Sequence, residues 1–223
     1  MNAIEENRKH FASEISIAED SCYAWKSINS LSSSDPEINS ALNENALSWV
    51  IIDHSLLCTL FITLGRIFDK RTDSFSVYKF LDTCICNIDA FSLPKLKARR
   101  NNDVYSFHAV SENDFIALKD QARNWGDIFD AIYKPIRHKI FAHKDNALSL
   151  NTYELFNKTR KEQINNMLAF LSAVNLVVQQ LYDNGEKYSI EYFVEKYNEE
   201  ERMYSDIHSL LDKIKNSHSI YKT

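Results

Sequence analysis

Apolar positions recur at intervals of three and four along most of the chain, the signature of amphipathic helices rather than of strands. Phe11, Ile15, Ala18, Cys22 and Trp25 form the first stripe and predict a helix over roughly residues 4–30, ended by a polar run at 31–35. Asp35 followed by Pro36 is a helix start, with proline in the first turn where its missing amide costs nothing. The helix it opens is expected to reach about Asp69. From 46 to 64 it is apolar on nearly every side, which places it at the centre of a bundle, with Asp53, His54 and Arg66 in need of partners. A shorter helix is expected at 76–86. Residues 87–111 keep no clean period and read as a long loop, a mobile or covering basic arm carrying Lys95, Lys97, Arg99 and Arg100.

Ser111-x-x-Asp114 fits a capping box that opens a helix through Trp125, Ile128, Phe129 and Ile132. Pro135 predicts a kink near Lys134, with helix resuming from 136 to about 144. Asn151 or Thr152 is expected to cap a long last core helix whose apolar face is Leu155, Ile164, Leu168, Leu171, Val174, Val178 and Leu181, closed by Gly185. Two short helices, at 190–197 and 202–215, would form a C-terminal extension over 186–223, with Glu199, Glu200 and Glu201 as a solvated acidic surface.

Only three glycines and three prolines occur in 223 residues, too few for the turns of a strand-rich fold. The glycines stand alone at Gly65, Gly126 and Gly185, so no G-x-G-x-x-G or G-x-x-x-x-G-K loop can wrap a phosphate, which excludes Rossmann and P-loop chemistry. The 44% apolar content excludes general disorder and fits one helical domain over 1–223 with its core at about 42–182. The polar start lacks the apolar core of a secretion signal. The apolar stretches at 56–64 and 168–178 are broken by Thr59, Thr63, Ser172 and Asn175, so a soluble, cytoplasmic protein with no membrane segment is expected. Cys84-x-Cys86 has no second pair at zinc-finger spacing, and the four cysteines read as buried free thiols.

The stretch Lys134-Pro135-Ile136-Arg137-His138-Lys139-Ile140-Phe141-Ala142-His143-Lys144 concentrates basic residues and two histidines with no acid, on a chain whose net charge is −5. A local basic site on an acidic protein points to a phosphate-bearing partner. His143 near a helix C-terminus would have its protonated form favoured, which suits acid/base chemistry. Arg137 and His143 are six apart, about 240° around and ~9 Å along an ideal helix, so they make no compact pair on one face and a cleft built from them needs a second copy. His138 and His143, five apart, are poorly spaced to share a metal. Structural roles compete with these: Arg137 could pair with Asp69 or Asp145, His143 could cap its own helix, and Arg66 with Asp69 could be a surface ion pair.

Arg137-His138 followed after four residues by His143 resembles the R-[N/D/H]-x4-H signature of the HEPN superfamily. The extended run to Asp145, with Gly65-Arg66-Ile67-Phe68-Asp69-Lys70 and Ser74-Phe75-Ser76-Val77, is similar to its abortive-infection U-type branch. The resemblance implies an all-α, up-and-down bundle of about five to seven helices that pairs so that two motifs face one cleft. It implies a metal-independent endoribonuclease of a phage-defence or toxin system, without cofactor. Arg137, His143 and His138 would be catalytic, and Lys139, Lys144, Arg66 and Asp69 would line the substrate path. A regulatory protein or antitoxin from a neighbouring gene is a further implied partner. In members controlled by a companion nucleotidyltransferase a tyrosine lies three positions after the histidine; here that position is Asn146, so that control is not expected. The superfamily also contains modules that bind nucleotide, RNA or protein without cutting.

Overall fold

Asp35 separates two helices, α1 (Ala3–Ser34) and α2 (Pro36–Glu44), in a computed structural model that describes residues 3–71, 74–137 and 160–220. Its Oδ1 accepts the amides of Glu37 at 2.8 Å and Ile38 at 3.2 Å, satisfying donors that a helix start leaves orphaned. The polar run before it is part of α1, because Ser32 and Ser33 donate to the Asn29 carbonyl and Ser34 to that of Leu31. The helix expected to reach Asp69 is broken once, at Asn45, whose backbone leaves the helical region before α3 (Ala46–Ile67) begins. Asparagine competes for backbone bonds and favours such a break.

The described residues are helical, with no strand, and gather into two compact units. One unit comprises residues 1–15 and 63–197. Within it lies the shorter helix expected from the sequence, α4 (Val77–Cys86), which Ser76 caps by accepting the Lys79 amide. Residues 87–111 are not one loop: a 3-10 turn (Ile88–Phe91) leads into α5 (Leu93–Arg99), and only the remainder is irregular. These elements are too short to show a period, yet Phe91 and Leu96 anchor them in the core. Arg99 stacks 3.9 Å over the Tyr182 ring and donates to the carbonyls of Ala90 and Tyr182, and Arg100 bonds Asn184. Two cations of the expected arm are thus engaged in the fold, leaving Lys95 and Lys97 exposed.

The predicted capping box opens α6 (Glu112–Ile128), with the Asp114 carboxylate accepting the Ser111 amide at 2.8 Å. The same carboxylate accepts from Lys187 at 2.6 Å and lies 3.2 Å from His108 Nε2. Burial alone pushes this carboxyl up, but the bonds from Lys187, Ser111 and His108 outweigh it and hold it well below the usual carboxylate range. Its contribution to stability is therefore complete above the unfolded carboxyl pKa of about 3.9 and drains away as the pH falls below that value. Asp114→Asn is expected to lower Tm by several degrees at pH 7, and the gap to wild type should narrow steadily in melts taken below about pH 4.

α6 does not simply kink at Pro135. It passes into a π-helical turn (Phe129–Tyr133), in which the Lys134 amide donates to the Phe129 carbonyl, and then into the short helical piece Lys134–Ile136. Proline has no amide for the carbonyl four residues back and its ring crowds that carbonyl, so the ladder loosens upstream. α7 (Lys161–Asp183) is the last core helix. The expected cap at Asn151 or Thr152, and Leu155, lie outside the described residues; α7 begins after an extended Arg160. It closes as predicted at Gly185, in the left-handed region at φ 69°, with the Glu186 amide reaching back to the Gln180 carbonyl. α8 (Ile190–Val194) packs on α7. The core of this unit is rich in packed rings, Phe11 stacked on Phe80 at 4.9 Å and Phe91 tilted against Phe115 at 4.9 Å.

The second unit comprises residues 16–62 and 198–223, with α9 (Glu199–Ile220) longer than the short helix expected there. α2 and α9 enclose a small core of Leu31, Ile38, Leu42 and Leu211, flanked by Ile28, Trp49, Ile207 and Ile214. Lys215 bonds Asp35 at 3.0 Å, and Glu200, expected as part of a solvated acidic surface, pairs with Lys26. Cys22 and Cys84 are buried free thiols, and burial pushes the Cys22 thiol up to about 12; Cys58 is only half-buried and Cys86 is exposed, contrary to expectation.

The largest departure concerns α3. Its first half is not central to a bundle: Leu47, Val50 and Ile51 are 77%, 63% and 59% exposed. Asp53 accepts a bond from Asn29 at 2.9 Å and His54 lies 3.3 Å from the Cys58 sulfur, so the polar residues on this stretch do find neighbours while Leu47, Val50 and Ile51 stay exposed. By length and composition both α3 and α7 could reach across a bilayer, which the interrupted stretches in the sequence did not suggest; α7 is mostly buried within its unit and α3 mostly is not.

Candidate functional site

The end of α3 and the segment after the π turn converge on a cleft of about 540 Å³ in the first unit. Its apolar part is Phe68 and Phe129, whose rings stack at 5.8 Å. Around them stand Arg66, Lys70, Arg71, Lys134 and Arg137, against two lining carboxylates, Asp69 and Asp130. A concave wall with that excess of positive charge concentrates field for an anion. Arg66, Asp69 and Arg137, all candidates from the sequence, are brought together here. His138, Lys139, His143 and Lys144 lie outside the described residues.

The carboxylates hold the cations in a lattice. Asp130 accepts from Lys70 and from Lys134, each at 3.0 Å, and Lys70 also reaches Asp127 at 2.8 Å. Burial alone would raise the Asp130 carboxyl, but the two lysines outweigh it and keep it ionised; Asp127 and Asp130 in turn raise Lys70 above its ordinary value. The ion pair suggested by the spacing of Arg66 and Asp69 does not form. Arg66 donates instead to Glu14 at 2.9 Å and Asp69 accepts from Arg71 at 3.0 Å, because the chain turns after α3 and offers Arg71 at closer range.

Arg137 follows the turn Lys134–Ile136 and its side chain crosses to α3 at Gly65, where an added Cβ would lie 2.0 Å from its Nη1. Lys70, Arg71 and Asp130 are lining residues that the sequence reading misses; the run from Arg66 to Arg71, with three cations, was the available signal. Lys70 also borders a second cleft of about 450 Å³ with Tyr78, Asp82, Lys119, Arg123 and Asp127. There Lys119 pairs with Asp82 and Arg123 with Asp120, and burial pushes the Tyr78 hydroxyl up to about 12, so this cleft carries little net charge. The surplus that could attract a phosphate belongs to the Arg137 cleft.

The family model HEPN_AbiU2, described as AbiU2, matches residues 1–204. No curated protein and no solved structure matches the chain. That match spans both clefts and nearly the whole helical chain, Arg137 included, and by it the protein belongs to the abortive-infection U-type family of HEPN-like proteins.

Proposed function

We propose that the protein is a metal-independent endoribonuclease of a phage-defence or toxin system, acting in the cytoplasm at a composite site supplied by two copies of the chain. The observation that carries the reading is the cleft in which Arg137 stands with Arg66, Lys70, Arg71 and Lys134. Attack of a ribose 2′-hydroxyl on its own phosphate needs a proton acceptor and donor of near-neutral pKa, the role of His143, with His138 orienting the phosphate. The phosphorane gains negative charge, and the planar, permanently protonated guanidinium of Arg137 is suited to stabilise it. Lys139, Lys144 and Arg66 would hold the flanking phosphates, and Asp69 would fix Arg71 beside them. The test is gel-resolved cleavage of tRNA and total RNA by the purified protein in EDTA, with wild type expected to cut and Arg137→Ala and His143→Ala expected not to.

The second copy follows from the spacing of Arg137 and His143 and is supported by the exposed face of α3. Leu47, Val50 and Ile51 form a continuous apolar strip, larger in exposure than a helix in a monomer normally leaves to water. A twofold contact places the same strip on both partners, so an apolar, nearly uncharged strip meets its own kind without unpaired charge. A regulatory protein from a neighbouring gene would bind the assembled dimer.

A binding module without cleavage is the second reading, and one observation favours it. Arg66, Lys70, Arg71 and Lys134 are held by carboxylates, so a phosphate must compete for them, as in a docking site of moderate affinity. Salt-sensitive RNA binding with all RNA intact would select that reading.

A further inference from the structure

Glycine is among the worst helix formers, yet Gly65 lies buried inside α3 with no positive φ to require it. Its reason must therefore be steric. A Cβ built at Gly65 meets Arg137 Nη1 at 2.0 Å, Cδ at 2.8 Å and Cζ at 2.9 Å, and these three atoms of one side chain are its nearest neighbours. Gly126, the other helical glycine, shows the same device in a structural setting, with its vacant space taken by the Tyr78 hydroxyl, which donates to the Ala122 carbonyl at 3.3 Å. At Gly65 the space is taken by the guanidinium that the cleft presents.

We propose that Gly65 is the positioning residue of the site: the side chain it lacks leaves on α3 the recess that holds the Arg137 guanidinium at its place in the cleft. The recess limits the side chain laterally, since a Cβ at position 65 would stand within 3 Å of its Cδ and its Cζ alike. A guanidinium so confined meets a phosphate with its fork already oriented, where a free one would have to be ordered by the substrate. A methyl group at position 65 drives it off that place. The effect on catalysis rests on the ribonuclease reading above; the recess itself does not.

Two measurements separate them. The first is a double-mutant cycle in thermal stability using Gly65→Ala, Arg137→Ala and the pair. In the Arg137→Ala background the three atoms nearest the added methyl are gone and it gains helix propensity, so Tm should rise by about 2–4 °C. In the wild-type background the same change should leave Tm level or lower it, because the methyl must displace Arg137. Equal shifts in both backgrounds would overturn the recess whatever the protein does to RNA.

The second measurement is kcat and KM for RNA cleavage in EDTA. Gly65→Ala is expected to lower kcat at least tenfold with KM within about twofold, the pattern of an interaction made in the transition state. Full kcat in Gly65→Ala beside a dead Arg137→Ala would overturn the positioning role. An RNA-inactive wild type would overturn the ribonuclease reading alone, and the stability cycle would still decide the recess.

Discussion

Arg137→Ala is expected to reduce RNA cleavage by about 100- to 1,000-fold while the protein stays folded, the range seen when one preorganised donor to a developing oxyanion is removed. The side chain is half-buried at the wall of a 540 Å³ cleft, so truncation removes charge from a concave surface rather than a packing element from the core. Arg137→Lys should recover only part of the rate, because an ammonium is a point charge and cannot offer two parallel donors to two phosphate oxygens. Binding should suffer less than turnover. On uncleavable 2′-O-methyl RNA the loss of one phosphate contact should reduce the slope of log K against log salt by about 0.7. Turnover unchanged in Arg137→Ala would remove the basis for placing the chemistry in this cleft. The comparison must be read beside His143→Ala, because a general acid or base lost from the same step should cost a similar factor.

The second large effect concerns assembly. Leu47→Glu with Ile51→Glu is expected to convert a species of twice 26.0 kDa into one of 26.0 kDa in light scattering after size exclusion. Full burial of an aliphatic side chain is worth about 1.5–3 kcal/mol, so the three from each of two copies, discounted for the burial they already have, contribute about 8 kcal/mol. Association costs about 4–15 kcal/mol in lost freedom, so this strip decides whether a dimer exists. A carboxylate at two positions of a self-facing surface also opposes like charge to like. Because the replaced side chains are mostly exposed within their own unit, Tm of the variant monomer should differ little from that of diluted wild type. A wild-type chain that is monomeric alone, or that partitions into vesicles through α3, would assign the strip to another partner or to a bilayer.

Much of the helical framework was legible because cap chemistry is local. Asp35 with Pro36, Ser111 with Asp114, and Gly185 each announce a helix end within a few residues, and each does in the structure what it does in the sequence. The break at Asn45 was hidden because the residues on both sides of it are helical and keep apolar positions at helical spacing, so the period runs through. The exposure of α3 was hidden for another reason: periodicity and composition report that a face is apolar, not what covers it. Arg66, Asp69 and Arg137 were legible as a group through family resemblance. Their actual pairings were not, because Glu14 reaches Arg66 from α1 and Arg71 reaches Asp69 through the turn of the chain, neither through helical spacing. Gly65 was visible only as an isolated glycine, since its meaning lies in a side chain on another helix.

The π turn at Phe129–Tyr133 has a consequence for the direction in which the motif points. Each residue of an α-helix advances the azimuth by about 100°, and a turn closed over five residues instead of four absorbs roughly one extra residue. A helical wheel drawn forward from Ser111 therefore misplaces Arg137 by more than a quarter of a revolution. The facing of the motif is an offset stored in the backbone upstream of it, so the number of residues between the capping box and Arg137 matters as much as their identity. Deleting one residue within 129–133 would remove that absorbed residue and let the helix close into a regular ladder with the guanidinium still facing α3, whereas inserting a residue elsewhere in α6 would swing it by about 100°.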